Sequence, residues 1–326
     1  MESHTGDELD LRLLAALEVN ARAPFSRIAE VLGVSDQTVA RRYRRLCAEG
    51  GLRVVAVRDA QRLGQDHWML RLRCAPDSAH AIADALAKRP DTAWIGLASG
   101  GTEVVCMTRP RSPGDHDDLL LGKLPRTPSI MEIRAHQLLH RFFGGPNGWL
   151  GKFAVLTDGQ IAALRRDVPE ADGTAGTVVI DPEDEPLVAA LERDGRATYP
   201  ELQRATGRSE SAVKRRLAGL LASGAVYIDI EYHSELLGHP LAACLWITAA
   251  PAALRSVGEA LATHDEVAFA AATAGPSNIV VTAVTRDTAG LYGYLSEGIG
   301  RLDGVQHVET TPFLRRVKQL TYAKVL

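Results

Sequence analysis

The chain has 326 residues, 46% of them hydrophobic and 24% charged, with 37 basic against 40 acidic side chains and a formal net charge of −3. That composition is a globular one, and the length is too great for one ordinary core, so two or more domains are expected. The longest apolar run, LAACLWITAA at 241–250, is too short for a membrane span, and the near-neutral charge still permits a local basic patch.

The four cysteines (Cys47, Cys74, Cys106, Cys244) lie far apart with no CxxC pair. Free thiols in a reducing compartment are therefore expected, rather than a disulfide framework or a zinc site. The opening MESHTGDELD is acidic and polar, unlike a signal peptide. A cytoplasmic chain with no membrane partner and no cofactor or metal is the expectation.

In chain order, Leu13, Leu14 and Leu17 have helical spacing within a first helix over 9–20. A second helix, 26–32, ends at Gly33, which can take the left-handed conformation of a tight turn. A third starts at Ser35 as N-cap and runs to Gly50, followed by a β-rich run at 52–58. Beyond it the pattern predicts strand 68–74, helix 78–88, strands 92–98 and 103–108, helix 114–123 and strand 129–139. Thr157 and Gln160 have capping-box spacing for a short helix, and PEADGTAGT (169–177) reads as a flexible linker.

The second half repeats the first. Residues 10–64 align without a gap to 184–238, and 18 of the 55 positions are identical, where chance would give roughly four or five at ordinary residue usage. Helices are expected from 185, 200 and 209, with the run AVYIDIEY at 225–232 after them. Strand 241–248, helix 251–263, strands 267–273 and 278–286, helix 288–299 and strand 305–317 complete the copy. Each βαββαβ order is the ferredoxin-like arrangement. The expected class is α+β: two copies of a winged-type helix-turn-helix, each followed by a ferredoxin-like βαββαβ module. The expected boundaries are 1–58 and 59–142, a linker at 143–180, then 181–232 and 233–326.

VARRYRRL (39–46) concentrates four arginines in five positions of a slightly acidic chain. Ala29 lets two helices cross closely, Gly33 turns the chain, and Val39, Tyr43 and Leu46 face inward. Gln37, Arg41, Arg44 and Arg45 then share the outward side. Such a helix fits the DNA major groove, with Ser35, Gln37 and Thr38 near base edges and Arg41, Arg42, Arg44 and Arg45 reaching bases or phosphates. The second copy offers Ser211, Lys214, Arg215 and Arg216, but Gln203 replaces the small alanine and Ala218 and Gly219 replace Arg44 and Arg45. Weaker contact is expected there, with decay to a structural partner as the alternative; for the first copy the plainer alternative is a solvated basic helix or a protein-binding wing.

TVARRYRRLCAEG, the Leu-Gly pairs at 63–64 and 237–238 and the closing LDGVQHVETTPFLRRVK (302–318) resemble the Lrp/AsnC transcriptional regulators. The resemblance spans nearly the whole chain, twice over. It implies a sequence-specific regulator of double-stranded DNA whose βαββαβ modules bind a small effector, usually an amino acid. The tandem layout resembles fused forms in which one chain carries both halves of a dimer, an intrachain pseudo-dimer that associates further into larger oligomers. The family's effector loop corresponds to LASGGTEVV (97–105) and ATAGPSNIV (272–280), which gives Ser99, Gly100, Gly101, Thr102 and Glu103 in one copy and Thr273, Gly275, Ser277 and Asn278 in the other. Glycines there let backbone N–H groups approach a carboxylate. Glu103 could pair with an ammonium group, whereas Asn278 supplies no charge; ordinary β-turns are the plainer reading of both loops.

Siroheme decarboxylases resemble the same fold, so an enzyme is the alternative. It would need histidines and arginines converging in the βαββαβ cleft. His67, His239 and His264 are scattered, and His136 and His140 would share one face of a strand as a solvated or interface edge. No catalytic constellation is expected.

Overall fold

The structure, a computed structural model, describes residues 6–111, 115–166, 168–169 and 176–321, so most of the linker expected at 169–177 lies outside the described residues. The first half runs α1 (Glu8–Val19), α2 (Phe25–Leu32), α3 (Asp36–Glu49), β1 (Arg53–Arg58), β2 (Trp68–Cys74), α4 (Ala79–Ala87), β3 (Thr92–Ala98), β4 (Glu103–Thr108), α5 (Asp115–Asp117, widening into a π turn over Asp118–Lys123) and β5 (Ile130–Phe143). After α6 (Asp158–Arg165) come α7 (Glu185–Arg193), α8 (Tyr199–Thr206), α9 (Glu210–Ala222), β6 (Val226–Glu231), β7 (Leu241–Ala249), α10 (Leu254–Thr263), β8 (Val267–Thr273), β9 (Ile279–Thr285), α11 (Thr288–Gly293, followed by a π turn over Tyr294–Gly298) and β10 (Val305–Lys318). No described helix is long and apolar enough to cross a membrane.

The chain divides into two compact units, each drawing one stretch from either half: Met1–Gly64 with Gly145–Gly238, and Gln65–Gly144 with His239–Leu326. In the first unit, Asp7 and Asp10 form a capping box that starts α1. Gly33, at φ +70°, ends α2, and Ser35 caps α3. Leu13, Leu14, Leu17, Ile28, Val39 and Leu46 are buried together, each worth roughly 1.5–3 kcal/mol of apolar burial. Leu150, Leu156 and Leu164 join that core from the stretch expected to be linker. There Thr157 and Gln160 form the anticipated capping box of α6. A second core gathers Leu187, Val188, Leu191, Leu202, Val213 and Leu217 around α7–α9.

Two features tie these cores together in a reciprocal way. Strands β1 and β6 pair antiparallel with Val55 opposite Asp229, its own equivalent at the repeat offset of 174. The guanidinium of Arg22 donates to the carbonyls of Gly195 and Ala197, and Arg196, its repeat equivalent, donates to those of Ala21 and Ala23.

In the second unit the strand order is β5-β2-β4-β3 in one module and β10-β7-β9-β8 in the other. β5 pairs onward with β8 and β10 with β3, closing all eight strands into a barrel. This explains why β5 runs to Phe143 rather than ending near 139: its last residues pair with the other module. One sheet face packs on helices, with Leu70, Leu72, Leu97 and Cys106 against Ala79, Ala83 and Leu86. The opposite face, with Met69, Ala98 and Val105, meets Cys244, Trp246, Ala271 and Val280 across the barrel.

Candidate nucleic-acid interface and effector loops

The helix-turn-helix forms from local rules. Gly33 reverses the chain in the left-handed region, where nothing lies within 4 Å of a would-be Cβ, so conformation rather than space requires glycine there. The Ser35 hydroxyl accepts the N–H of Thr38 at 3.2 Å, which satisfies a free donor of the first turn of α3. With Val39 and Leu46 buried and Tyr43 half-buried below, Gln37, Arg41, Arg44 and Arg45 are exposed, as the spacing predicts. Among the described residues Arg41 has no hydrogen-bond or ion-pair partner, and Arg44 only touches its own helix, Nε donating to the Ala40 carbonyl at 3.1 Å.

Arg42 is different. Its Nη1 sits 2.6 Å from Asp7 and 2.9 Å from Asp10 of α1, and those bonds hold its pKa above the usual arginine range. Arg45 also ion-pairs with Asp10, although its side chain stays 44% exposed. Arg42 therefore anchors α3 to the start of α1, which departs from its expected reach toward DNA. The reason is helical phase: position 42 lies between the outward and inward faces, beside two carboxylates. The second copy repeats the device, with Arg216 3.5 Å from Asp181 and 3.3 Å from Asp184, the equivalents of Asp7 and Asp10. Ser211 and Arg215 are exposed on α9, and Lys214 pairs with Glu210 at 2.6 Å and lies over the Tyr199 ring.

The two candidate effector loops are more occupied than their sequences suggest. Ser99, Gly100 and Gly101 make one tight turn with φ of +51°, +66° and +88°. Its polar side chains bond inward: the Ser99 hydroxyl donates to Glu103 at 2.7 Å and the Thr102 hydroxyl to the Ser99 carbonyl at 2.8 Å. Glu103 is buried against Arg71 and so is no free partner for an ammonium group. In the second loop Thr273 donates to the Ser277 carbonyl at 2.8 Å, and the Asn278 amide both accepts from the Ala249 N–H and donates to its carbonyl, each at 2.8 Å. Gly275, at φ +120°, leaves room for His136, which a Cβ would meet at 2.8 Å. In the first loop Gly100 stays exposed and Gly101 half-buried, and in the second Ala274, Gly275 and Pro276 are exposed.

Residues 7–46 match the AsnC-type helix-turn-helix domain and residues 242–323 the Lrp/AsnC ligand binding domain. An uncharacterised HTH-type transcriptional regulator of Pyrococcus abyssi is 31% identical over 149 residues, 45% of this chain and 94% of that protein. The chain belongs to the Lrp/AsnC family. The HTH-type transcriptional regulator LrpA of Pyrococcus horikoshii is 28% identical over 141 residues, covering 43% of this chain and all of that one. In fold, the crystal structure of the siroheme decarboxylase NirDL is similar over 96% of this chain and 93% of its own, with a TM-score of 0.63 and 12% identity.

Inside the barrel of this Lrp/AsnC chain lies a cluster that the sequence did not disclose. Arg71 ion-pairs with Glu103 of its own module and, at 2.6 Å, with Glu309 of the other. Its guanidinium stacks 4.8 Å over the Trp246 ring. Trp246 in turn lies 4.8 Å from the ring of His136. The pairing with Arg71 holds the Glu309 carboxyl below its ordinary range, and burial lowers the His136 pKa. His136 and His140 do not share one environment: the pairing of β5 slips between Leu138 and His140, which leaves His136 buried and His140 exposed.

Proposed function

We propose that this is a tandem Lrp/AsnC regulator in which a single polypeptide supplies both halves of a DNA-binding pair and responds to a small carboxylate-bearing effector, an amino acid above all. The observation that carries DNA binding is the row Gln37, Arg41, Arg44 on the outer face of α3, beyond the Gly33 turn and above a buried Val39–Leu46 face. Unpaired, exposed arginines at that spacing match phosphates and guanine edges, and a helix of this kind fits a major groove.

The fused-pair reading takes α7–α9 as a second helix-turn-helix. It is supported by Gly207 at φ +68°, by Ser209 as N-cap and by the repeated Arg216 anchor. The Arg22–Arg196 clasp and the Val55–Asp229 centre have the reciprocity of a two-fold interface, in which the same patch is used from both sides. For the effector, the reading rests on the family and on the open Gly100–Gly101 turn at the end of β3. A polycarboxylate substrate in the barrel is disfavoured because Arg71 is already matched by two carboxylates.

Genomic footprinting of the purified chain, with and without each of the twenty amino acids, tests this reading. Discrete protected sites whose occupancy changes with one or a few amino acids are expected. Uniform, sequence-independent protection would overturn it.

A further inference from the structure

We infer that α3 and α9 act differently on DNA: α3 reads bases, α9 only grips phosphates, and the chain therefore binds an asymmetric operator in one fixed orientation. The inference rests on the DNA-binding reading above and deepens it.

The two helices are nearly matched in charge. α3 carries four arginines against Asp36 and Glu49, and α9 carries Lys214, Arg215 and Arg216 against Glu210, so each nets two positive charges. The attraction to a phosphate backbone, which depends on charge and not on sequence, is retained in both copies. What differs is reach. At the repeat offset, Gln37 becomes Ser211, Thr38 becomes Ala212, Arg44 becomes Ala218 and Arg45 becomes Gly219; Ser35 and Arg42 persist as the cap Ser209 and the anchor Arg216, and of the four outward residues Gln37, Arg41, Arg44 and Arg45 one keeps its kind, Arg41 as Arg215.

Base edges are read by long side chains with paired donors and acceptors, such as Arg on guanine and Gln on adenine. Positions 211, 218 and 219 of α9 are all exposed, so their short side chains are not explained by packing. Nothing lies within 4 Å of a would-be Cβ on Gly219. Lys214 is held back over Tyr199 and Glu210, suited to a phosphate beside the first turn. Both helices belong to one compact unit, across whose two halves the Arg22–Arg196 clasp runs, so on this inference the two meet the same duplex. A dimer of identical chains demands two equivalent half-sites. A fused pair with unequal readers does not.

The experiment is in vitro selection from random duplex DNA with the intact chain, followed by hydroxyl-radical footprinting of the selected sequence. One information-rich half-site is expected, with a second backbone-protected patch about one helical turn or a multiple away that carries little sequence preference. Randomising the rich half should weaken binding at least about 100-fold, and randomising the other less than about twofold, since base mismatches cost roughly 5- to 100-fold each. Lys214→Ala with Arg215→Ala should lower affinity equally on selected and random DNA and flatten the log–log salt slope by about two.

Restoring long side chains with Ser211→Gln, Ala212→Thr, Ala218→Arg and Gly219→Arg should turn the selected sequence into an inverted repeat, with folding checked by circular dichroism. Should that variant not fold, the half-site randomisation on the wild type decides alone. An inverted repeat selected by the wild type, or protection of a single patch, would overturn the inference. No enrichment of any sequence would overturn the DNA-binding reading beneath it.

Discussion

Arg22 and Arg196 each hold the turn in which the other stands: Arg22 Nη2 donates to the Ala197 carbonyl at 3.0 Å, and Arg196 Nη2 to the Ala23 carbonyl at 3.0 Å. Each also lies over an aromatic ring of the opposite copy, Arg22 over Tyr199 and Arg196 over Phe25. Burial lowers the pKa of both guanidinium groups, yet arginine stays charged under any ordinary condition. Removing either leaves carbonyls without their donors, at about 1–3 kcal/mol. Arg22→Ala and Arg196→Ala should each lower the denaturant midpoint by a similar amount. The double variant should depart from additivity, because the two side chains share one interface. Equal effects that simply add would speak against a coupled clasp.

Arg42→Ala and Arg41→Ala should separate stability from binding. Losing Arg42 strips the 2%-exposed Asp10 of one of its two arginine partners and leaves it Arg45, a loss on the order of 1–3 kcal/mol for a buried acceptor deprived of a donor. Thermal unfolding should shift down for Arg42→Ala and stay near wild type for Arg41→Ala, while DNA affinity falls for Arg41→Ala with the fold intact. A stable Arg42→Ala chain that had lost only DNA binding would reverse the two roles.

Glu18 gives a pH test. Its carboxylate accepts the N–H groups of Leu150 and Gly151 at 3.2 and 3.1 Å, and burial pushes its pKa from the ordinary 4.5 up to about 7. The folded chain thus binds this proton more tightly than the unfolded chain between those values, so Glu18 costs stability as pH rises from 4.5 to 7. Glu18→Gln should raise stability at pH 8 by about 1–2 kcal/mol and by little at pH 4. The measurement is the melting temperature of both chains across that range; a difference that does not change with pH would refute it.

For the effector, a thermal-shift screen of the twenty amino acids should find one or a few that raise the melting temperature in proportion to the logarithm of concentration over Kd. Gly101→Val, which forces a branched side chain into φ +88° beside Leu314, should abolish the shift. A ligand that stabilises both chains equally would move the site away from this turn.

Much of the fold was legible because its signals are local. The caps at Ser35 and Thr157 and the glycine turns at 33 and 207 fall where their chemistry places them. The strands of both modules alternate or run apolar as half-buried and buried strands do. Arg71 was not legible. In WMLRLRC it alternates with Leu70 and Leu72, the pattern of a solvent face, but that face meets the second module across the barrel, which no periodicity within one strand can reveal. For the same reason Glu103 looked free to meet a ligand. His136 was misplaced by a slip in strand pairing that leaves no trace in sequence.

The closed ring of strands carries a consequence for life in the cell. Because β5 and β10 each cross into the opposite module, both sheets complete their hydrogen bonding within one molecule, and no strand edge of the barrel is left to recruit another. Closure of this kind makes the pairing of the two modules independent of chain concentration, so dilution leaves it intact. A ring of strands also presents no edge on which a misfolded neighbour can template itself.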